Sequence, residues 1–193
     1  TNLLAKAKGL EEEGITTYVY TGSYQVPVRT VTGSIMDDLI LLDKVVGCGE
    51  IAISDHRSSQ PTKEDFAKIV ADTRVGGILS AKAGLVNIHM GDGKEKLEYL
   101  KYVLDNSMIP PTQMLPTHIN RSMTLMLDGI EYAKEVGAKT ACITTSKGSV
   151  LANLVEYPIE AVTGQEEISG STRMKSGTAQ KLICNMLSTG SMI

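Results

Sequence analysis

Helical and extended segments alternate along nearly the whole chain, and this alternation limits the fold more than any other feature. Apolar runs at residues 50–54 (EIAIS), 85–90 (LVNIHM) and 138–145 (AKTACITT) are separated by segments with helical spacing. The first and last of these runs lack polar alternation, so we expect helices to cover both faces of the sheet. The sequence therefore predicts an α/β protein with a parallel sheet and right-handed crossovers.

The sequence pattern also gives approximate element boundaries. Helices are predicted at residues 2–13, 35–46, 63–74, 94–106, 122–136 and 149–156, and from Ser171 or Thr172 to the end of the sequence. Strands are predicted at residues 15–22, 50–54, 85–90 and 138–145, and a last strand is predicted to open at Pro158. Thr62 is expected to cap the third helix, with Asp65 as its partner three residues on.

Composition excludes several classes of partner. The 193 residues carry a net charge of −3 and show no basic stripe with interleaved aromatic residues, so we expect no nucleic-acid partner. No apolar stretch approaches the length of a membrane span, and no signal peptide is recognised, so no membrane partner is expected. The three scattered cysteines are typical of buried small residues in a reducing compartment, which favours a cytoplasmic location.

All three histidines follow apolar, strand-like runs, at His56, His89 and His118. Chemistry in parallel α/β proteins is assembled at the C-terminal ends of the strands. The spacing therefore predicts a metal or catalytic site. His56 is expected to have a structural role beside Arg57.

Residues 1–132 contain the segments LEEEGITTYVYTGSYQVPVRTVTGSIMDDLI, GEIAISDHRSSQP, RVGGILSAKAGLVNIHMGDGK and LPTHINRS. On these segments this part of the chain resembles isoaspartyl dipeptidase, also called beta-aspartyl peptidase, of the amidohydrolase superfamily. The resemblance implies a (β/α)8 barrel with a two-zinc centre that hydrolyses β-aspartyl dipeptides. About four βα units fit into this region, so a partial TIM-barrel-like wall is expected.

The dipeptidase resemblance also implies individual residue roles. His89 and His118 match metal ligands, and Glu50 stands at the position of the bridging anion, where the family often has a carboxylated lysine. Tyr24 matches the tyrosine that polarises the scissile carbonyl. Arg57 and Arg121 match the arginines that hold the substrate's carboxylates, a role that suits the planar guanidinium group.

Two parts of the family's site have no counterpart in this sequence. The family has a His-x-His pair on its first barrel strand and a zinc-bound catalytic aspartate on its eighth, and neither is found here. We therefore expect a protein without native catalysis. Two interpretations of Glu50, His89 and His118 stay open: they bind a single zinc ion, or they are hydrogen-bonded remnants of a lost site.

Residues 133–193 include the run TGQEEISGSTRMKSGTAQKL. On this run the segment resembles the sugar isomerase (SIS) domain of N-acetylmuramic acid 6-phosphate etherase, which implies a flavodoxin-like α/β fragment of about two units. Ser169, Ser171 and Thr172 match a region that lines the sugar-phosphate pocket; alternatively, Ser171 or Thr172 only caps the last helix. Glu166 and Glu167 match the signature without a defined acid or base role.

We infer from the two resemblances an engineered or recombined chimera, whose parts are predicted to pack as one continuous domain. Three functions follow as hypotheses: a folded chimera without native catalysis, a metallohydrolase of β-aspartyl dipeptides, and a sugar-phosphate-binding module. A barrel fragment has open strand edges, so a homo-oligomer is also expected.

Overall fold

The structure is a computed structural model that describes residues 2–193. Helices and strands alternate through most of the chain, as the sequence predicts. In chain order the elements are α1 (Asn2–Glu12), β1 (Val19–Thr21), α2 (Ile35–Leu41), β2 (Val45–Ile53), α3 (Lys63–Ser80), β3 (Leu85–Met90), α4 (Glu98–Asn106), β4 (Met114–Thr117), α5 (Met123–Glu135), β5 (Ala141–Thr144), β6 (Tyr157–Glu160) and α6 (Lys175–Gly190).

The strands form two parallel sheets. The first is four-stranded in the order β1-β2-β3-β4, so each strand pairs with its successor in the sequence. The second contains β5 and β6, which also run parallel. Consecutive parallel strands joined by helices are the pattern of βα units, and the predicted α/β fold class is confirmed.

The core of the first sheet is aliphatic. Strands β2 and β3 bury Ile51, Ile53, Val86 and Ile88 completely. Each such side chain contributes about 1.5–3 kcal/mol to the free energy of folding by leaving water. Helix α4 adds Leu100, which is also fully buried. This packing fixes β2 and β3 side by side, and the site described below lies at their carboxyl ends.

The predicted helix at 35–46 was too long. Helix α2 ends at Leu41, and Leu42 has an extended backbone. Strand β2 then begins at Val45, which pairs with Val19 of β1. The β-branched pair Val45–Val46 favours the extended conformation. The apolar residues of this segment fit either a helix or a strand, and pairing with β1 selects the strand.

Helix α3 begins as predicted but continues further. Thr62 accepts a hydrogen bond from the Asp65 backbone N–H, and Asp65 accepts one from the Thr62 backbone N–H, which completes the expected capping box. The helix runs through Gly76 and Gly77 to Ser80 rather than ending at 74. A Cβ at either glycine would meet neighbouring backbone, so close packing explains the glycines and outweighs their poor helix propensity.

The chain divides into two compact units, Thr1–Gly129 and Ile130–Ile193. The predicted division into residues 1–132 and 133–193 of different family origin, packed as one continuous domain, stays a prediction. In the second unit the predicted helix at 149–156 is wrong, because the segment forms turns. The backbone N–H groups of Glu156 and Tyr157 both bond to Thr140 O, and this aligns β6 beside β5 instead.

Helix α6 exposes Leu182, Met186 and Leu187, which are 50%, 64% and 53% accessible. Apolar residues on a helix surface fit the expectation of a homo-oligomer, which stays a prediction. Within residues 2–193, none of the helices combines the length and the apolar character that crossing a membrane requires. The expected cytoplasmic location stays a prediction as well.

Candidate functional site

The carboxyl-terminal parts of three neighbouring strands bring Glu50, His89 and His118 together. Glu50 lies in β2, His89 in β3, and His118 directly after β4. The Nδ1 atom of His89 is 3.2 Å from Glu50 Oε1, and Nε2 of His118 is 3.3 Å from the same oxygen. One ligand atom from each residue lies within 4.8 Å of the others. The sequence left open whether these three residues converge, and the structure brings them together toward the carboxyl end of the sheet.

The donor set fits a divalent transition metal. Zinc is bound by imidazole nitrogens and carboxylate oxygens at about 2.0–2.2 Å, which places tetrahedral donor atoms roughly 3.3 Å apart. The separations of Glu50 Oε1 from His89 Nδ1 and His118 Nε2 match that spacing.

The protonation of Glu50 suits a ligand role. Burial raises the pKa of this carboxyl, but hydrogen bonds and charge interaction with His89, together with hydrogen bonds from Thr117 and His118, outweigh burial. The pKa therefore lies below the ordinary glutamate value. A carboxylate must be ionised to coordinate a metal, so Glu50 is in the form that binding requires.

Backbone geometry at Gly49 presents Glu50 to the site. Gly49 has φ +147°, a conformation that residues with a Cβ rarely adopt. A Cβ there would lie 2.5 Å from Asn87 O on β3. The β2–β3 pairing shifts register between Gly49 and Ile51, so the bulge contains Glu50. Such irregularities re-aim a side chain, as is common beside functional sites.

Tyr24 contacts the cluster from the loop that follows β1. Its hydroxyl is 3.1 Å from His89 Nδ1, and the two ring centroids are 4.6 Å apart. The Tyr24 backbone carbonyl accepts a hydrogen bond from Ala52 N–H, which attaches the loop to β2. Tyr24 therefore covers one side of His89, whose side chain is only 4% exposed.

A buried carboxylate that sequence reasoning did not single out holds the two predicted arginines. Asp55 follows β2, and its side chain is 1% exposed. Arg57 donates to both of its oxygens, from Nε and Nη2 at 2.9 Å each, and Arg121 Nη1 donates to Oδ2 at 3.0 Å. Hydrogen bonds from Arg57 lower the pKa of Asp55 strongly, despite the opposing effect of burial.

Both arginines also reach His89. Nη2 of Arg57 is 2.6 Å from His89 Nε2, and Nη2 of Arg121 is 3.2 Å from the same atom. The Nε–Nη2 face of Arg57 is occupied by Asp55. Arg57 and Arg121 thus lie at the site as expected, but an internal carboxylate shares them. Their role toward a substrate stays a prediction.

His56 stays outside the cluster. Its side chain is 85% exposed, and its Nδ1 lies 3.5 Å from Asp55 Oδ1. It contacts Asp55 rather than a candidate metal ligand. The order Asp55-His56-Arg57 at a strand end was the signal available in the sequence. This pattern pointed to His56, but Asp55 is the residue that makes the buried interactions.

In the second unit, a cavity of about 310 Å³ is lined by residues 169–173, which include Ser169, Ser171 and Thr172. The alternative prediction that Ser171 or Thr172 caps the last helix is wrong. Helix α6 begins at Lys175, and the carboxylate of Glu166 accepts from the backbone N–H groups of Lys175 and Ser176 at 2.9 Å each. A carboxylate at a helix N-terminus satisfies free N–H groups and the helix dipole. Phosphate binding at these residues stays a prediction.

Comparison with known proteins finds two different kinds of relative. No protein-family profile matches the chain. The N-acetylmuramic acid 6-phosphate etherase of Christiangramia forsetii is 59% identical over 68 residues, which are 35% of this chain and 25% of that protein. The etherase of Lactococcus lactis subsp. lactis is 34% identical over 146 residues, 75% of this chain and 48% of that protein. The chain thus spans between a quarter and about half of these curated relatives.

The solved structures belong to another enzyme. A beta-aspartyl dipeptidase from the thermophilic keratin-degrading Fervidobacterium islandicum AW-1, in complex with beta-Asp-Leu dipeptide, has a TM-score of 0.69 and 56% identity. It aligns with 74% of this chain, which covers 37% of the dipeptidase. A second structure of that organism's dipeptidase gives a TM-score of 0.69 and 53% identity. The chain resembles both families, as the sequence motifs predict.

Proposed function

We propose that this chain is a chimera of the two families and that its first unit binds one divalent metal ion, zinc, through Glu50, His89 and His118. The observation that carries the metal proposal is the convergence of three donor atoms within 4.8 Å. Two of the separations equal those of a tetrahedral zinc site. We propose further that the polypeptide does not turn over β-aspartyl dipeptides.

The two resemblances support the chimeric origin. Identity with the dipeptidase structure is 56% over 74% of the chain. Identity with an etherase reaches 59% over 68 residues, whereas the match extending over 146 residues has 34%. High identity to one enzyme over a short stretch, together with high identity to a different enzyme over most of the chain, supports recombination. The boundary between the compact units at Gly129 and Ile130 lies close to the predicted division between residues 132 and 133.

The residues around the cluster suit it to a small carboxylate ligand. A bound zinc ion supplies Lewis acidity, which polarises a coordinated oxygen. Tyr24 places a hydroxyl beside His89, and Arg57 and Arg121 bring positive charge to within hydrogen-bond distance of the same ring. Asp55 neutralises part of that charge and fixes both guanidinium groups. The arrangement can hold an anion next to a metal.

The donor inventory argues for binding without turnover. The 193 residues contain three histidines and no His-x-His pair. One of the three, His56, points its exposed ring at Asp55 and not at the cluster. The remaining donors suffice for one metal ion rather than the two-zinc centre that the dipeptidase resemblance implies. Water or another ligand would complete the coordination of a single ion.

Metal analysis tests the proposal directly. The protein is stripped with a chelator, dialysed against Zn²⁺ and then against metal-free buffer. It should retain about one zinc ion per chain, as measured by inductively coupled plasma mass spectrometry. Glu50→Gln, His89→Ala and His118→Ala should each weaken the zinc affinity by at least about tenfold, because each removes one of three ligands. His56→Ala is the matched control and should bind as tightly as the unaltered protein. Stoichiometric zinc that none of the three substitutions reduces would overturn the assignment.

A second candidate function is hydrolysis of β-aspartyl dipeptides. Tyr24, Arg57 and Arg121 all contact His89, and this favours it. Incubation of the zinc-loaded protein with β-Asp-Leu, followed by amino-acid analysis, separates the two candidates. If leucine is released by the unaltered protein and by His56→Ala but not by His89→Ala, the protein is a hydrolase and the proposal of binding without turnover is wrong. Zinc uptake without leucine release supports binding alone.

A further inference from the structure

The loop between β1 and α2, residues 22–34, is tied at both ends to one carboxylate. Asp38 of α2 accepts a hydrogen bond from Thr21 Oγ1, directly before the loop. It also accepts from Val31 N–H at 3.0 Å, Thr32 N–H at 2.8 Å and Thr32 Oγ1 at 2.7 Å, near the loop's end. The side chain therefore gathers the two ends of the loop at one point.

The Asp38 carboxylate is held by neutral donors. The residue is 0% exposed. Among residues 2–193, its close partners are the hydroxyl and backbone N–H groups of Thr21, Val31 and Thr32. Burial raises the pKa of Asp38, but these hydrogen bonds outweigh burial and lower it. A buried charge that is fully hydrogen-bonded fixes its donors, since each donor released would cost free energy.

The middle of the same loop lies against the candidate metal site. The Tyr24 ring packs on His89, and the Arg57 guanidinium lies 5.5 Å from the Tyr24 ring centroid. Gln25 Nε2 donates to Arg57 O, and Val26 N–H donates to Ser59 Oγ at 2.8 Å. The Gln25 and Val26 contacts are exposed to solvent, whereas the Tyr24–His89 contact is partly buried and the Tyr24 carbonyl accepts from Ala52 N–H of β2. The Asp38 cluster therefore joins the two ends of the loop, and the contacts of Tyr24 hold its middle.

We propose that Asp38 is a positioning residue that holds the 22–34 loop closed over His89 and so sets the placement of Tyr24 at the site. The effect of this loop closure on metal or anion binding rests on the proposed function. The closure itself does not, because it is a property of the metal-free chain. Asp38 touches no candidate ligand and acts through the loop.

Histidine-selective acylation tests the closure. Diethyl pyrocarbonate modifies accessible imidazoles, and peptide mass spectrometry follows the three histidines separately. In the unaltered, chelator-treated protein His56 and His118 should react, since their side chains are 85% and 46% exposed, while His89 at 4% should be protected. The two reactive histidines serve as internal references for reagent dose.

Asp38→Asn should raise the rate at His89 by about tenfold relative to His56, because opening equilibria control the reactivity of buried groups. Asparagine keeps one acceptor oxygen but replaces the other by an NH₂ group, which cannot accept from the hydroxyl and N–H donors around it, so the attachment of the loop is weakened. Asp37→Asn is the matched control: it removes the same charge from the adjacent, exposed position of α2 and should leave the His89 rate unchanged. Because His56 and His118 are already accessible, a general loss of stability would also appear mainly at His89. Acylation is therefore repeated at low urea concentrations: a His89 rate that rises with urea as steeply as the global unfolding equilibrium reports general destabilisation and refutes the closure, whereas a raised rate that is insensitive to low urea supports local opening of the loop.

Thr32→Val gives a second, milder variant. It removes one hydroxyl donor while keeping the carboxylate, and should raise the His89 rate by roughly threefold. If Asp38→Asn does not fold, the His89 rate in Thr32→Val tests the closure instead. A His89 rate equal to that of Asp37→Asn in the folded variant would refute the closure. Absence of zinc binding with a raised His89 rate would instead overturn the proposed function and leave the closure intact.

Discussion

Replacing Gly49 by alanine is the sharpest test of how the fold presents Glu50. Gly49 is a buried residue of β2 that pairs with Asn87 of β3, and it adopts φ +147°. An added Cβ would lie 2.5 Å from Asn87 O and 2.8 Å from Asn87 Cβ. Real Cβ atoms do not approach backbone oxygen so closely. Either the strands separate at this point or the residue changes its backbone conformation, and both alter the position of Glu50.

The expected loss has two parts. A residue with a Cβ in this region of φ costs about 1–3 kcal/mol. Forcing extra volume into a packed interior costs about 1–3 kcal/mol more. We therefore expect Gly49→Ala to lower the free energy of unfolding by about 2–6 kcal/mol, a large part of the 5–15 kcal/mol typical of a domain. Zinc affinity should fall in the folded fraction, because Glu50 moves relative to His89.

Urea denaturation followed by circular dichroism measures the effect. Gly9→Ala in α1 is the control, since Gly9 is exposed, helical and has no atom within 4 Å of the added Cβ. That substitution should stabilise by about 0.5–1 kcal/mol through helix propensity. A Gly49→Ala protein that loses less than about 1 kcal/mol and binds zinc normally would refute the reasoning, because close packing at this residue would then not orient Glu50.

Other predictions concern individual caps and charges. Thr62→Ala removes the side-chain half of the α3 capping box and should lower the free energy of unfolding by about 1 kcal/mol in urea titrations. The pKa of Asp38 lies below its ordinary value of 3.8, so its stabilisation is complete above that pH and is lost as pH falls through the folded pKa. Asp38→Asn should therefore make stability less dependent on pH below about pH 4, as acid titration can measure. Glu166→Gln should speed hydrogen exchange at the Lys175 and Ser176 amides, whereas Glu167→Gln should not.

Sequence similarity and local patterns predicted the candidate ligands and several secondary-structure elements. The strand ends at His89 and His118 were recognisable because an apolar run stops at each, and parallel strands then place them at one edge. Glu50 was identified through resemblance to a family and not through its own spacing. The α3 capping box followed from Thr62 and Asp65 alone, since the contact spans three residues.

Several decisive features depend on residues far apart in the chain. Asp38 binds Thr21, and Asp55 binds Arg121, across separations of 17 and 66 residues. The local sequence does not mark Asp38 as buried, because its donors reach it only when the loop packs. Asp55 has Arg57 two residues on, but burial of the pair and the contact with Arg121 depend on the folded chain. Helix α2 ends at Leu41 for the same reason, since pairing with β1 draws Val45 into a strand.

The order of residues thus determined the alternating elements, the α/β class and the strand ends that carry the candidate ligands, because those depend on local spacing and propensity. Tertiary structure decided which carboxylates are buried, which N–H groups they accept, and that Glu166 rather than Ser171 or Thr172 caps α6. Burial and long-range hydrogen bonds set these outcomes, and both exist only once the chain has folded.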